Sequence, residues 1–239
     1  MTSPQGMPAT VRPLREDWIV ANAKQVRVST GARPIVKSKK RVQEFAEVLT
    51  PTWLVDEMLD TVNDESERID ARFLEPACGD GNFLVRVLVR KLATAKSRYG
   101  KSPFEMRHQS LLGLMSIYGI EIQADNAEDC RNNLLDVFVT CLGLVTEDEL
   151  IGAARAVLVA NIVQGDALAM TTVNALSQMK EGPIVFAEWG YLGRGRFQRR
   201  DFLFNALAGR SSVQIGEASH EIFQPFRTYA PMTVKELAV

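Results

Sequence analysis

Three cysteines and two histidines are few for a chain of 239 residues. Cys78, Cys130 and Cys141 have no paired short spacing, which excludes a zinc knuckle or a disulfide framework of the usual kind. His108 and His220 stand alone, so no metal site is expected. No run of about 20 apolar residues occurs, so no membrane span is expected, and the first residues lack the apolar core of a secretory signal. The expected compartment is the cytoplasm. A net charge of −1 leaves no global field to draw the molecule onto a polyanion, and any basic contact surface must be local. What remains is ordinary for a globular protein: 46% hydrophobic and 24% charged residues, in a chain long enough for one large α/β core.

The organisation follows from periodicity. Residues 1–36 hold several prolines and little pattern, and read as an arm, partly disordered or docking elsewhere. Lys37-Ser38-Lys39-Lys40-Arg41 reads as a solvated helix start or a phosphate contact. Thr50 suits an N-cap and Pro51 a first helical position. Leu54, Val55, Met58, Leu59 and Val62 then recur at helical spacing. Phe73-Leu74 closes a first strand, and a long amphipathic helix runs from Asn82 to about Ser97. The polar stretch 98–108, with Pro103, reads as an insertion or loop, followed by a helical piece at 111–115. Strands are expected at 116–122, 161–168 and 183–187, and helices at 124–141 and 148–159. This alternation predicts an α/β fold, a doubly wound, mainly parallel sheet with helices on both faces. The main domain is expected over 37–209, with a C-terminal tail over 210–239.

The most informative stretch is Phe73-Leu74-Glu75-Pro76-Ala77-Cys78-Gly79-Asp80-Gly81-Asn82-Phe83-Leu84. An apolar strand ends in an acid, two glycines turn the chain tightly, and a helix begins whose first N–H groups are unpaired. Three predicted strands end in a carboxylate, Glu75, Glu121 and Asp166. In open α/β sheets that edge is where ligands bind. Glu121, after the second strand, is placed to accept from ribose hydroxyls, and Asp166, after the third, from an adenine amino group. A Rossmann-type domain for another nucleotide is the alternative. However, the glycine turn is not Gly-x-Gly-x-x-Gly, and no Lys-Ser/Thr follows for a triphosphate. Cys78 reads as a packed, inert thiol rather than a nucleophile.

The acid-Pro-Ala-Cys-Gly-x-Gly-x-Phe-Leu segment resembles the first motif of S-adenosylmethionine-dependent DNA methyltransferases, in particular those that modify the exocyclic amino group of adenine, over about residues 38–205. The resemblance implies a class-I methyltransferase (Rossmann-like) fold and S-adenosyl-L-methionine as cofactor. Thr50 and Pro51 would close the methionine end. Glu75, Pro76, Ala77, Cys78, Gly79, Gly81, Asn82 and Phe83 would form the glycine turn around the amino-acid moiety. Glu121 with Ile122 would hold the ribose, and Asp166 with Ala167 the adenine ring.

The family's fourth motif, Asn or Asp followed by Pro-Pro and an aromatic, matches Glu188-Trp189-Gly190-Tyr191, where both prolines are missing. By resemblance Glu188 would accept from the target amino group, Tyr191 would stack on a flipped base, and Trp189 would complete the catalytic loop. Transfer would be a direct displacement with no metal and no covalent intermediate. Arg194, Arg196, Arg199 and Arg200, interleaved with Phe197 and Phe202, read either as phosphate contacts to DNA or as a solvated loop pairing with Asp201. No room is left for a separate target-recognition domain, so a larger modification or restriction subunit is an expected partner. The rival reading is a cofactor-binding or DNA-binding subunit that is inactive without such a partner; RNA, protein or a small molecule as acceptor is a third.

Overall fold

The computed structural model describes residues 50–174, 179–208 and 224–238. The arm over 1–36, the basic run at 37–41, Trp18 and His220 lie outside the described residues.

Helix α1 (Thr52–Asp60) starts one residue later than expected: Pro51 is its N-cap, and its carbonyl accepts from the N–H of Leu54 and Val55. After a short α2 (Asn63–Ser66) comes strand β1 (Phe73–Glu75), then α3 (Asn82–Tyr99), 18 residues long. Leu84, Leu88, Leu92 and Ala95 form the buried stripe of α3, at the i, i+4 and i+3 spacing of one helix face. The polar stretch read as a loop is mostly helix. α3 runs through Tyr99, and α4 (Pro103–Met115) begins at Pro103, with the Ser102 side chain accepting from the Glu105 N–H. Proline at a first helical position loses no hydrogen bond, so there it marked a start rather than a break.

Strand β2 (Ile117–Glu121) is buried throughout, α5 (Ala124–Leu142) ends at left-handed Gly143, and α6 (Glu149–Asn161) is capped by Asp148. Strands β3 (Ile162–Asp166), β4 (Thr171–Val173) and β5 (Lys180–Pro183) complete a five-stranded sheet of order β1-β2-β3-β4-β5. β1, β2 and β3 are parallel neighbours, with Glu75 opposite Gly119 and Glu121 opposite Gln164; β4 and β5 add antiparallel. The result is a mixed α/β fold compatible with a Rossmann-like domain.

The expected fourth parallel strand is replaced by a separate antiparallel sheet. β6 (Val185–Gly193) and β7 (Arg196–Leu203) form a hairpin, followed by the short helix α7 (Phe204–Ala208). β8 (Arg227–Thr228) and β9 (Met232–Thr233) both pair with β7. Helix α8 (Val234–Leu237) opens with a Thr233/Glu236 capping box and buries Val234 and Leu237. The described part of the expected tail is therefore stitched into the body.

Candidate functional site

The three carboxylates that end β1, β2 and β3 come together at one edge of the sheet. Parallel pairing in this register does so directly, because each acid is the last residue of its strand. The glycine turn folds over that edge: the Cys78 N–H donates to the Ile120 carbonyl at 3.0 Å and the Gly81 N–H to the Cys78 carbonyl at 2.9 Å. Gly81 holds φ +89°, and a Cβ there would lie 2.7 Å from Cys130 Sγ. At Gly119 a Cβ would lie 2.8 Å from Cys78 Sγ. Glycine at both positions lets turn, strand and helix close to this distance.

Glu121, 8% exposed, locks the turn to the sheet. One oxygen accepts from the Gly79 N–H at 2.9 Å and the other from the Gln123 N–H at 2.8 Å. Beside it opens a cavity of about 490 Å³. Of the residues expected to hold a cofactor, Thr50, Glu75, Pro76, Ala77, Cys78 and Gly79 line it, as do Asn82, Phe83, Glu121, Ile122, Asp166 and Ala167. Pro51 and Gly81 are not on its wall; they serve as the N-caps of α1 and α3. Sequence reasoning missed Met58, Gln123, Asn126 and Leu168, which also line it. Asn126 carried a usable signal, a polar residue in the first turn of the helix after the ribose-type acid; Leu168, 97% exposed, carried none.

Glu75 and Asp166 are shifted in opposite directions. Burial pushes the Glu75 carboxyl above its ordinary value, with the Ala77 N–H pulling the other way. Asp166 lies below its ordinary value, first because the Ala169 N–H donates to it and then because Lys180 pairs with it at 3.0 Å. The Cys78 thiol is pushed up, first by its hydrogen bond with Cys130 and then by burial, which leaves it protonated and unreactive.

The residues matched to the fourth motif are not at this edge. Glu188, Trp189 and Tyr191 sit inside β6 rather than in a loop after it. Near its start, the Ile184 N–H donates to the carbonyl of Met170, the residue before Thr171, which pairs with Asp166 at the end of β3. Farther along, the Trp189 Nε1–H donates at 3.0 Å to Asn161, the residue just before β3. β6 thus runs opposite to β3 and carries the triplet away from the crevice; from Asn161 to Asp166 an extended chain spans roughly 16 Å. The side chains are engaged where they lie. Glu188 pairs with Arg72 and with Arg200. The Tyr191 hydroxyl donates to Glu105 at 3.2 Å and accepts from the Gly195 N–H at 3.1 Å. The expected catalytic loop at the cofactor edge is therefore corrected to a strand directed to the other end of the sheet. In-line transfer needs the reacting atoms about 3–3.5 Å apart, which this placement does not provide.

The arginines divide as well. Arg199 is held inside the second sheet by both Asp201 oxygens, at 2.6 and 3.1 Å, with its guanidinium 5.3 Å from the Trp189 ring and 4.8 Å from the Tyr229 ring. It is a structural residue here, not the phosphate contact expected of it. Arg194 turns the hairpin at φ +52°, and Arg194, Arg196 and Arg200 are exposed.

Among the described residues no group of three or more His, Cys, Asp or Glu is placed to hold a metal ion, and no helix is long and apolar enough to cross a membrane. In comparisons with protein-family models, curated proteins and solved structures, nothing matches this chain.

Proposed function

We propose that this chain binds S-adenosyl-L-methionine in the crevice at the ends of β1, β2 and β3 and is the methylase component of a DNA-modifying system, with the adenine amino group as acceptor. On this reading the fold is a doubly wound class-I methyltransferase domain carrying an added antiparallel sheet. The observation that carries the proposal is the convergence of Glu75, Glu121 and Asp166 around the glycine turn. A carboxylate with two N–H donors already bound still has lone pairs for both ribose hydroxyls, which suits Glu121. Glu75, raised by burial, lacks a cation that the methionine ammonium would supply. Asp166 marks the adenine end, and Ile122 and Leu168 offer apolar surface for the ring.

The direction of β6 favours a second reading within this one, in which the chain binds cofactor but needs a partner subunit to present the acceptor base. Titrating the purified chain with S-adenosylmethionine by calorimetry, then adding labelled cofactor and unmethylated DNA, separates the two. Binding with label transfer identifies a self-sufficient methyltransferase; binding with transfer only after a partner is added identifies the subunit. Absence of binding removes both.

The role given to Glu75 has its own test. An ammonium beside it lowers its pKa, so binding favours the ionised carboxylate. Affinity is then full above the pKa of the free protein's Glu75 and falls as pH drops through it. Glu75→Gln is expected to lower affinity about tenfold at neutral pH, one charge-assisted hydrogen bond, and to flatten the slope across the weakly acidic range. Calorimetry of both proteins across that range reads the difference; equal slopes would remove the ammonium from Glu75.

A further inference from the structure

Alternation along β7 sorts its residues onto two faces. Phe197, Arg199 and Asp201 share the inner face with their cross-strand partners Tyr191, Trp189 and Ala187. Arg196, Gln198 and Arg200 lie on the other, opposite Gly193, Gly190 and Glu188. A Cβ at Gly190 or Gly193 would meet nothing within 4 Å, so this second face is open along its middle. Arg72, from the segment before β1, joins it through Glu188.

The charge on that face does not cancel. Glu188 is shared by two guanidiniums, those of Arg72 and Arg200, whose side chains remain 59% and 50% exposed. Glu236, which caps Thr233 and lies near Arg196, keeps its charge, so three guanidiniums meet two carboxylates and an excess of one positive charge remains. In a chain of net charge −1 this is a local cationic stripe.

The stripe leads to a cavity of about 450 Å³ at the end of the sheet away from the cofactor crevice, where Arg72 and Gly190 form part of the wall. Tyr118, Trp189 and Tyr191 also line it, and each has spent its polar atom inside the protein, on Ala187, Asn161 and Glu105 respectively. What they offer the cavity is ring surface. Tyr99, Gln109 and Arg98 complete a wall suited to a planar heterocycle, the amide able both to donate and to accept. The carboxylate on that wall, Asp70, is paired with Arg68.

We propose that this stripe and cavity form a binding site for a nucleic-acid strand, with phosphates along Arg196, Arg200 and Arg72 and one unstacked base in the ring-lined cavity. Guanidiniums four residues apart on one strand face, with Gln198 between them and Arg72 beyond, can follow a backbone, and aromatic walls take any base by its face. The site is separate from the cofactor crevice and deepens the functional reading above by naming where its nucleic acid lies.

The test is anisotropy of a labelled single-stranded DNA of about a dozen nucleotides, near the length one such groove covers, titrated into the full chain at several salt concentrations. RNA of the same sequence and duplex DNA are run as parallel arms. Arg196→Ala and Arg200→Ala are each expected to weaken binding severalfold and to lower the salt slope by about 1. Tyr99→Ala is expected to weaken it about tenfold with the slope unchanged, a lost stack rather than a lost charge. Arg227→Ala, on the inner-face register opposite Asp201, is expected to leave affinity unchanged. No binding of any strand, equal losses in Arg227→Ala and Arg200→Ala, or no loss in the stripe variants would each overturn the site. Tighter binding of duplex than of single strand would overturn the unstacked base. S-adenosylmethionine titrated into the same preparations reports on the crevice independently, so failure of this site and failure of the cofactor reading are told apart.

Discussion

Glu121→Ala is expected to reduce S-adenosylmethionine affinity about 100-fold or more while the chain stays folded. The carboxylate does two things at once. It ties the glycine turn to the sheet through the Gly79 and Gln123 N–H groups, at 2.9 and 2.8 Å. In the proposed complex it also accepts from the ribose. Hydrogen bonds to a charged group contribute about 1.5–3 kcal/mol each, so losing two ribose contacts alone reaches this size. Glu121→Gln keeps an acceptor oxygen and loses the charge, and is expected near a tenfold loss. Calorimetric titration, with circular dichroism to confirm folding, reads both. Wild-type affinity in the alanine variant would remove the crevice as the cofactor site.

Lys91→Met is expected to lower stability by about 3 kcal/mol. Lys91 is 0% exposed, on the inner side of α3. Its ammonium donates to the carbonyls of Arg68, Ile69 and Ala71 at 2.7, 3.2 and 2.6 Å, which pins the segment that feeds β1. Methionine fills the volume and leaves the carbonyls. Ile69 keeps the Ser116 hydroxyl at 3.0 Å as a donor, whereas the other two lose theirs, at about 1–3 kcal/mol for each unpaired buried group. Burial also pulls the Lys91 ammonium from 10.5 down to about 7. Between these values the unfolded chain binds more protons than the folded one, so this residue makes stability rise with pH across the window. Denaturant unfolding of both proteins between pH 7 and 10.5 is expected to show wild-type stability gaining on that of the methionine variant. A constant difference would mean that Lys91 holds its proton throughout.

The lysine shows what a pattern leaves out. Position 91 falls on the buried face of a helix whose apolar residues are plain in the sequence, yet nothing local says that a charged side chain there meets three carbonyls 20 to 23 residues earlier. Pro103 misled in the other direction: proline alone does not tell a loop from a first helical turn, and the capping hydroxyl of Ser102 decided it. Of the missed wall residues of the crevice, Met58 reads only as one member of a helical apolar stripe, and Leu168 is an almost fully exposed side chain.

The sequence by itself determined the crevice. A strand ending in an acid, a glycine turn and a helix start are consecutive in the chain, and parallel pairing of successive strands brings their terminal acids to one edge whatever else the fold does. Only the tertiary structure decided the fate of Glu188, Trp189 and Tyr191. Whether a strand runs with or against its neighbours depends on pairing with residues far away, here β7 for the hairpin and Asn161 for the Trp189 anchor. A two-residue period is the same in both directions. The stretch that reads as a parallel strand delivering an acceptor loop to the cofactor is an antiparallel one that delivers it to the opposite end, and that reversal separates the expected catalytic residues from the expected cofactor.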